Sequence, residues 1–533
     1  MSLDGIIFGG MINSDEPTRP QDLSGISYSS VHRSAGSHRI ASFLRQHGLD
    51  IEVIDFAPSW KFEEFKELIR SRMTPTMKFV GLGAVFNMNT ETLYRSFAWL
   101  KQTYPDVLLV TGSTDFYNLH FIPVDYMVVG YGELAILEIL NGTAKYTEEI
   151  IDKNGNKRRT VHALKEYPAY PMRNLSIDYE KRDFLQPFES VTMETSRGCR
   201  FKCSFCTYSI LGVKDDHTRC SDDFRDNLIR NYDNYGIHRY SISDETFNDH
   251  SEKIIKYADA VETLPFKPNF GGYIRADLLH TRPQDIEHLA RMQFNGQFYG
   301  VESFHRPSAA AIGKGMDPAK IQQAILDTKD YFMKHNGYYK GTISLIAGLP
   351  YETEETLNET LRWCKENWKT NHLAVTPLII ASDHNNVKQS TLSASYEKQG
   401  YSLIDMEQIL LDESHSDLTR IFQSNSILPE MKYYLKTFIR TLSPTILLHR
   451  WKSNTGMTEK DALLWIANNV WGNDEYMDFG VDHWRMDEWY VAGKTDHDMM
   501  GSYRDLGGIR PPVQTKVDFI ETYKKQKLNR SNT

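Results

Sequence analysis

Short apolar runs and amphipathic stretches alternate along residues 1–145. Residues 5–9, 51–55, 79–82, 107–110 and 126–129 are apolar runs of strand length. Between them, 38–47, 62–70 and 90–104 carry apolar residues at helical spacing, and a further helix is predicted after Glu133. In the first of these helices Ile40, Ala41 and Leu44 form the stripe, with Ser37 as the expected cap and Gly48 as the stop. Near-continuous apolar strands alternating with helices predict a parallel sheet covered on both faces. Ligands of such sheets bind at the carboxyl ends of the strands. Residues 10–36, rich in Ser, Gly, Pro and Asp, read as a long loop.

A second β-α rhythm runs through 188–385. Its predicted strands are 191–195, 239–243, 269–274, 296–301, 341–346 and 373–380, each separated from the next by a helical segment. Polar residues gather where these strands end: Asp244 and Glu245, then Arg275, then Glu302 and Ser303, then Gly348 before Leu349 and Pro350. Glu352, Glu354 and Glu355 read as carboxylates favoured at a helix start. Residues 146–187 form a connector with a polar hairpin tip at 153–159. Residues 386–533 read as a mainly helical C-terminal domain. It carries a capping box at 458–461, an aromatic-rich stretch at 471–489 that could close over a substrate, and a solvated tail at 524–530.

Composition narrows the class. The formal net charge of −9 argues against non-specific nucleic-acid binding. No apolar run reaches the length of a membrane span, and the first residues lack the basic and apolar regions of a secretory signal, so a cytoplasmic protein is expected. Of the five cysteines, Cys220 and Cys364 are far apart and suggest no disulfide framework.

The other three cysteines carry the chemistry. Cys199, Cys203 and Cys206 are spaced C-x3-C-x2-C. Three thiolates on one tight loop suit three corners of a [4Fe–4S] cluster, leaving one iron without a protein ligand, whereas electron-transfer clusters take four cysteines. With the nearby His217 the same thiols suit a Cys3His zinc site in a non-catalytic metal-binding module.

The cysteine spacing, with Phe205 before the last cysteine, resembles the radical S-adenosylmethionine (SAM) superfamily. The six β-α units and their polar strand ends come in the order that superfamily shows in its partial (β/α)6 barrel. The resemblance implies that Cys199, Cys203 and Cys206 ligate the cluster and that Phe205 borders the adenine of SAM. It sets Asp244 and Glu245 at the methionine amine, Arg275 at the carboxylate, Glu302 and Ser303 near the ribose, and Gly348 against adenine. Tyr208, Tyr273 and Tyr299 are candidates to line the pocket. The implied reaction is reductive cleavage of SAM to a 5′-deoxyadenosyl radical, which takes a hydrogen atom from an unactivated C–H bond of a small-molecule or peptide substrate. A reductant such as flavodoxin or ferredoxin supplies the electron.

Residues 39–55, 111–113 and 129–133 resemble the cobalamin-binding-type domain that precedes many radical SAM barrels. The D-x-H-x-x-G signature of histidine-ligated cobalamin is absent, and His32 is the nearest candidate. Cobalamin is therefore a further cofactor that the resemblance admits. With it, C-methylation is the implied reaction.

Overall fold

The computed structural model describes residues 3–12, 31–83, 90–112, 123–151, 157–167, 176–187, 189–206, 218–368, 372–378, 390–399, 402–404, 447–449, 490–491 and 516–529. Within residues 386–533, the capping box, the aromatic-rich stretch and most of the expected helices lie outside the described residues, as do Tyr208 and His217.

The chain between Gly5 and His162 contributes a seven-stranded sheet. Its strands are β1 (Gly5–Phe8), β4 (Ile51–Ile54), β5 (Phe79–Leu82), β6 (Leu108–Gly112), β7 (Tyr126–Val129), β8 (Glu148–Ile151) and β9 (Lys157–His162), in the order β4-β1-β5-β6-β7-β9-β8. Every pairing is parallel except that of the edge strand β8 with β9. The hairpin β8–β9 thus extends the first sheet with residues that read as connector. Inside the expected long loop, β2 (Met11–Ile12) and β3 (Val31–His32) pair antiparallel.

Alternation along the strands divides the core into two layers. Ile6, Phe8, Val80 and Leu82 pack with Leu68 of α2 (Phe62–Arg72) and with Phe97 and Leu100 of α3 (Thr90–Thr103). Ile7, Val53, Phe79 and Val110 face the other way, toward Ala41 and Leu44 of α1 (Ala35–Gln46) and Ile136 of α4 (Glu133–Leu140). Both faces are covered, so the central strands β1 and β5 are apolar throughout. The cap of α1 is Ser34, whose hydroxyl accepts from Ser37 N; the expected cap lies three residues too late.

The second sheet has seven strands. Six run parallel in sequential order, β10 (Ser190–Met193), β11 (Arg239–Ile242), β12 (Asn269–Ile274), β13 (Gly296–Glu302), β14 (Tyr338–Ala347) and β15 (His372–Pro377), and the short strand Tyr490–Val491 pairs antiparallel with β14. Helical segments, among them α5 (Ser221–Tyr235), α6 (Ser251–Glu262), α7 (Pro318–His335) and α8 (Glu354–Asn367), return the chain between strands. Phe224, Leu228, Ile254, Tyr257, Ile325, Phe332, Leu357 and Leu361 of these helices share one core with Tyr240, Phe270, Tyr299 and Tyr339 of the strands. Parallel strands taken in chain order with crossover helices make the partial barrel, and all its strand ends point the same way.

Buried charges join the parts. Arg33 donates from Nη1 to Asp55 Oδ2 at 2.8 Å and from Nε to Glu189 Oε2 at 2.6 Å. It thereby ties the end of β4 to the residue just before β10. His38 Nε2 lies 2.9 Å from the same Asp55 oxygen. Burial alone would raise the Asp55 carboxyl, but His38 and Arg33 hold it well below the usual carboxylate range.

The C-terminal helix, Lys516–Asn529, departs from expectation. Its lysines read as a solvated tail, yet Lys524 and Lys527 are buried. Phe519, Ile520 and Tyr523 enter the α2–α3 layer. Asp55 N donates to Tyr523 Oη at 2.9 Å. Lys527 Nζ donates to Glu52 Oε1 at 3.0 Å and to Val53 O at 2.8 Å. Lysine stems that lie along apolar surface while their ammonium groups find buried acceptors explain the error.

This docking has a pH signature. Burial would push the Glu52 carboxyl up, but Lys527 and Arg72 overrule it and lower it from 4.5 to about 2. The stabilisation is therefore complete above 4.5 and is lost as pH falls toward about 2. Lys527→Met removes the buried ammonium beside Glu52 and is expected to cost about 3 kcal/mol. In urea unfolding across this acid range the variant should lose less stability on acidification than the parent, because a weaker partner set depresses Glu52 less.

Candidate functional site

Strand β10 runs into Glu194, Thr195, Ser196, Arg197 and Gly198 before Cys199. Asp244, at the end of β11, fixes this approach. Its Oδ1 accepts from Thr195 N at 2.7 Å and Ser196 N at 3.0 Å, and its Oδ2 accepts from both hydroxyls and, at 3.3 Å, from Lys253 Nζ. Asp244 is fully buried and its oxygens are filled by the protein. Gly198 then turns the chain at φ +83°, a conformation that side chains with a Cβ rarely adopt.

The cysteine loop is pinned from behind. Ser204 N donates to Ile312 O at 3.1 Å, Ser204 Oγ donates to Ala311 O at 3.2 Å, and Leu392 N donates to Ser204 O at 2.7 Å. Cys206 N donates to Cys203 O at 3.1 Å. No cysteine is in a disulfide, and Cys199, Cys203 and Cys206 are all partly accessible. Cys199 Sγ lies 3.8 Å from Thr246 Oγ1, and burial pushes its thiol up. Among the described residues no three His, Cys, Asp or Glu side chains close tightly enough to grip a single ion.

The next three strand ends surround this loop. Glu245 sits beside Cys199, with Oε2 buried and making no hydrogen bond. Burial, helped by the carboxylates of Asp244 and Glu194, pushes its carboxyl up to about 8. Arg275 follows β12. Its fork is taken by Asp277, with Nε to Oδ1 at 3.0 Å and Nη2 to Oδ2 at 2.6 Å. The remaining Nη1 donates to Cys203 Sγ at 3.6 Å, and the guanidinium lies 3.9 Å from the Phe201 ring centre. Glu302 ends β13 at a bulge and holds φ +67°. A non-glycine residue there carries about 1 kcal/mol or more of backbone strain. Its Oε1 accepts from Lys314 Nζ at 2.9 Å.

The fourth strand end contributes a wall. Gly348 sits at φ +93° and donates its N–H to Glu352 Oε2 at 2.7 Å, while Ser303 Oγ donates to Glu352 Oε1 at 3.4 Å. Glu352 is buried, and burial pushes its carboxyl up to about 8. The sequence reading took Glu352 for a helix-start carboxylate. The helix starts later, capped by Thr353, and Glu352 turns inward to join two strand ends. Its signal was a position between the turn glycine and the cap. Phe205 packs against an apolar pocket of Ile312, Ile346, Leu349, Leu378 and Leu392.

Other candidates lie apart. Tyr299 is buried in the core on the helix side, its hydroxyl 2.8 Å from that of Tyr339. Tyr273 is largely exposed and meets Phe298 edge-on. Sequence reading missed that the first domain reaches the loop. Arg197 stacks 4.1 Å over the Tyr131 ring and donates to Glu133, and Arg39 Nε donates to the same Glu133 oxygen at 3.4 Å.

At the carboxyl end of the first sheet, the strand order brings β1 and β5 together where the chain reverses direction across the sheet, the usual ligand crevice of such folds. There Gly9 and Gly83 each approach Ser37 so closely that a Cβ would come within 2.4 Å of its hydroxyl.

The sequence profile of the Radical SAM superfamily matches residues 193–364. An uncharacterised methyltransferase of Pyrococcus horikoshii is 24% identical over 355 residues, covering 61% of this chain and 72% of its own. An anaerobic magnesium-protoporphyrin IX monomethyl ester cyclase of Synechocystis is 21% identical over 242 residues, 43% of this chain and 48% of its own. Among solved structures, the cobalamin-dependent S-adenosylmethionine radical enzyme OxsB shares the fold at a TM-score of 0.54 and 14% identity, covering 99% of this chain and 84% of its own. The cysteine-bearing parallel barrel, residues 193–364, thus carries the sequence profile of the radical SAM superfamily, and a parallel α/β sheet precedes it.

Proposed function

We propose that Cys199, Cys203 and Cys206 hold a [4Fe–4S] cluster at which SAM binds, and that the enzyme functionalises an unactivated C–H bond of a small-molecule or peptide substrate. The observation that supports this most is the set of unlike groups converging on one cysteine loop: a guanidinium on Cys203, a carboxyl with an unfilled oxygen beside Cys199, and an apolar pocket around Phe205. When bound, the reduced cluster supplies the electron that splits SAM into methionine and a 5′-deoxyadenosyl radical.

The chain's own residues then have distinct tasks. Glu245 offers Oε2 to the methionine ammonium, a partner that its buried carboxyl lacks. Asp244, with its oxygens already filled, holds the Cys199 approach in place. Arg275 places positive charge beside Cys203, with its fork braced by Asp277. Phe205, Leu349 and the turn at Gly348 form the adenine wall, steadied by Glu352 and Ser303. Glu302, fixed by Lys314, is the acceptor for the ribose hydroxyls. A one-electron donor such as flavodoxin or ferredoxin feeds the site.

A second reading adds cobalamin and makes the reaction a C-methylation. The strand order of the first sheet favours it, with the crevice of β1 and β5 as the binding place; OxsB, of the same fold, is cobalamin-dependent.

Anaerobic reconstitution with iron and sulfide, followed by SAM and dithionite, should yield 5′-deoxyadenosine. Cys203→Ala should retain its fold but lose the cluster absorbance and at least about a hundredfold in 5′-deoxyadenosine formation. Zinc without iron or sulfide in protein purified anaerobically would falsify the enzyme reading. Separately, incubation with aquacobalamin and desalting should leave cobalamin absorbance with the protein; a colourless product removes the methylation reading alone.

A further inference from the structure

The first domain touches the cysteine loop through a buried set of four charges. Glu133 and Glu194 carry the negative charges; Arg39 and Arg197 carry the positive ones, and three of the four are almost inaccessible. Arg197 donates to Glu133 and to Glu194, at 2.8 Å from Nε to Glu194 Oε1. Arg39 Nη2 lies 3.7 Å from Glu194 Oε2. The set balances only with Glu133 present. Without that charge, two guanidinium groups share one carboxylate in a place with little water, and Arg197 must move to find another acceptor.

Such a move does not stay local. Arg197 is two residues before Cys199, and only Gly198, in its left-handed turn, lies between them. Cys199 inherits any displacement of Arg197. The same first-domain loop also presents a polar atom. Tyr131 Oη is buried against the Gly198 backbone N–H without forming a well-shaped hydrogen bond, and Glu245 Oε2 and Arg197 Nη1 are buried with no hydrogen-bond partner. Tyr131 and Glu245 interact electrostatically, and Glu245 interacts with Cys199. A buried polar group without a partner is costly, so several unmet groups around one loop point to a ligand that meets them.

Resting on the cluster reading above, we propose that residues 130–133 of the first domain form part of the SAM–cluster site. Glu133 is a positioning residue that sets the Cys199 turn through Arg197, and the Tyr131 hydroxyl, beside Glu245, meets bound SAM. The first domain is then required for SAM to be held correctly, whether or not cobalamin binds there.

The test uses the full chain, reconstituted anaerobically, with SAM as the probe. Tyr131→Phe keeps the ring over Arg197 and removes only the hydroxyl; Glu133→Gln keeps the shape and removes the charge. Each should bind SAM about tenfold more weakly. In Glu133→Gln the electron paramagnetic resonance spectrum of the reduced cluster should also change before SAM is added, because the Cys199 turn has shifted. Glu52→Gln, buried in the same domain but distant from the loop, should lower the melting temperature and leave both readouts at parent values. If Glu133→Gln does not fold, Tyr131→Phe decides alone. Parent-like SAM affinity and spectra in the variants overturn the inference while the parent's own cleavage of SAM keeps the cluster reading. A parent that assembles no iron–sulfur cluster overturns both.

Discussion

The arrangement depends on charges paired out of water where the two sheets meet. Arg33 joins Asp55 to Glu189, and Arg197 joins Glu133 to Glu194. Pairs of this kind are poor sources of stability, since their desolvation nearly cancels their attraction, and their best attested use is to fix register. Here they fix both ends of one short strand. Glu189 lies just before β10 and Glu194 just after it. An apolar contact would tolerate a small slide of one sheet along the other. A bidentate guanidinium does not. Strand β10 carries the cysteine loop, so the loop inherits that register.

The second sheet turns the same principle inward. Parallel strands in chain order bring all their carboxyl ends to one rim, and the backbone there has few ladder partners left. The protein fills those needs with side chains from neighbouring ends: Asp244 for the turn after β10, Asn248 for Arg275 N at 2.9 Å, and Glu352 for Gly348 N. Asp244 and Asn248 each close a gap between two strand ends, and Glu352, which also accepts from Ser303 Oγ, closes a third, so the rim is tied into a partial ring. The positive φ of Glu302 is held against that ring by Lys314. Strain of this sort persists only where the surroundings over-determine it.

Much of this was legible from the chain. The apolar runs located the parallel strands of both sheets because strands buried on both faces need continuous apolar sequence. Cysteine spacing identified the loop because the residues that share it are neighbours in sequence. What stayed hidden depends on partners far away. Lys527 reads as solvated until Glu52, 475 positions earlier, is placed beside it. Glu352 reads as a helix-start charge until Gly348 and Ser303 enclose it. Residues 148–162 read as linker because the strand they extend, β7, had an edge that sequence does not reveal. The choice between Asp244 and Glu245 was also beyond the chain, since adjacent residues at a strand end point to opposite sides, and only the fold shows which side is already filled.

The two raised carboxyls at the rim illustrate the difference between holding and waiting. Glu352 and Glu245 are both pushed up to about 8, and burial is the leading cause in each. Glu352 nevertheless has a partner for each oxygen, Gly348 N and Ser303 Oγ, so its burial is compensated within the protein. Glu245 Oε2 has none. A buried acceptor without a donor costs about 1–3 kcal/mol, more if it is charged. A cationic amine would remove that cost, because it supplies donors and also stabilises the ionised carboxylate. The unfilled oxygen beside Cys199 is the acceptor that the proposed contact with the methionine ammonium would fill.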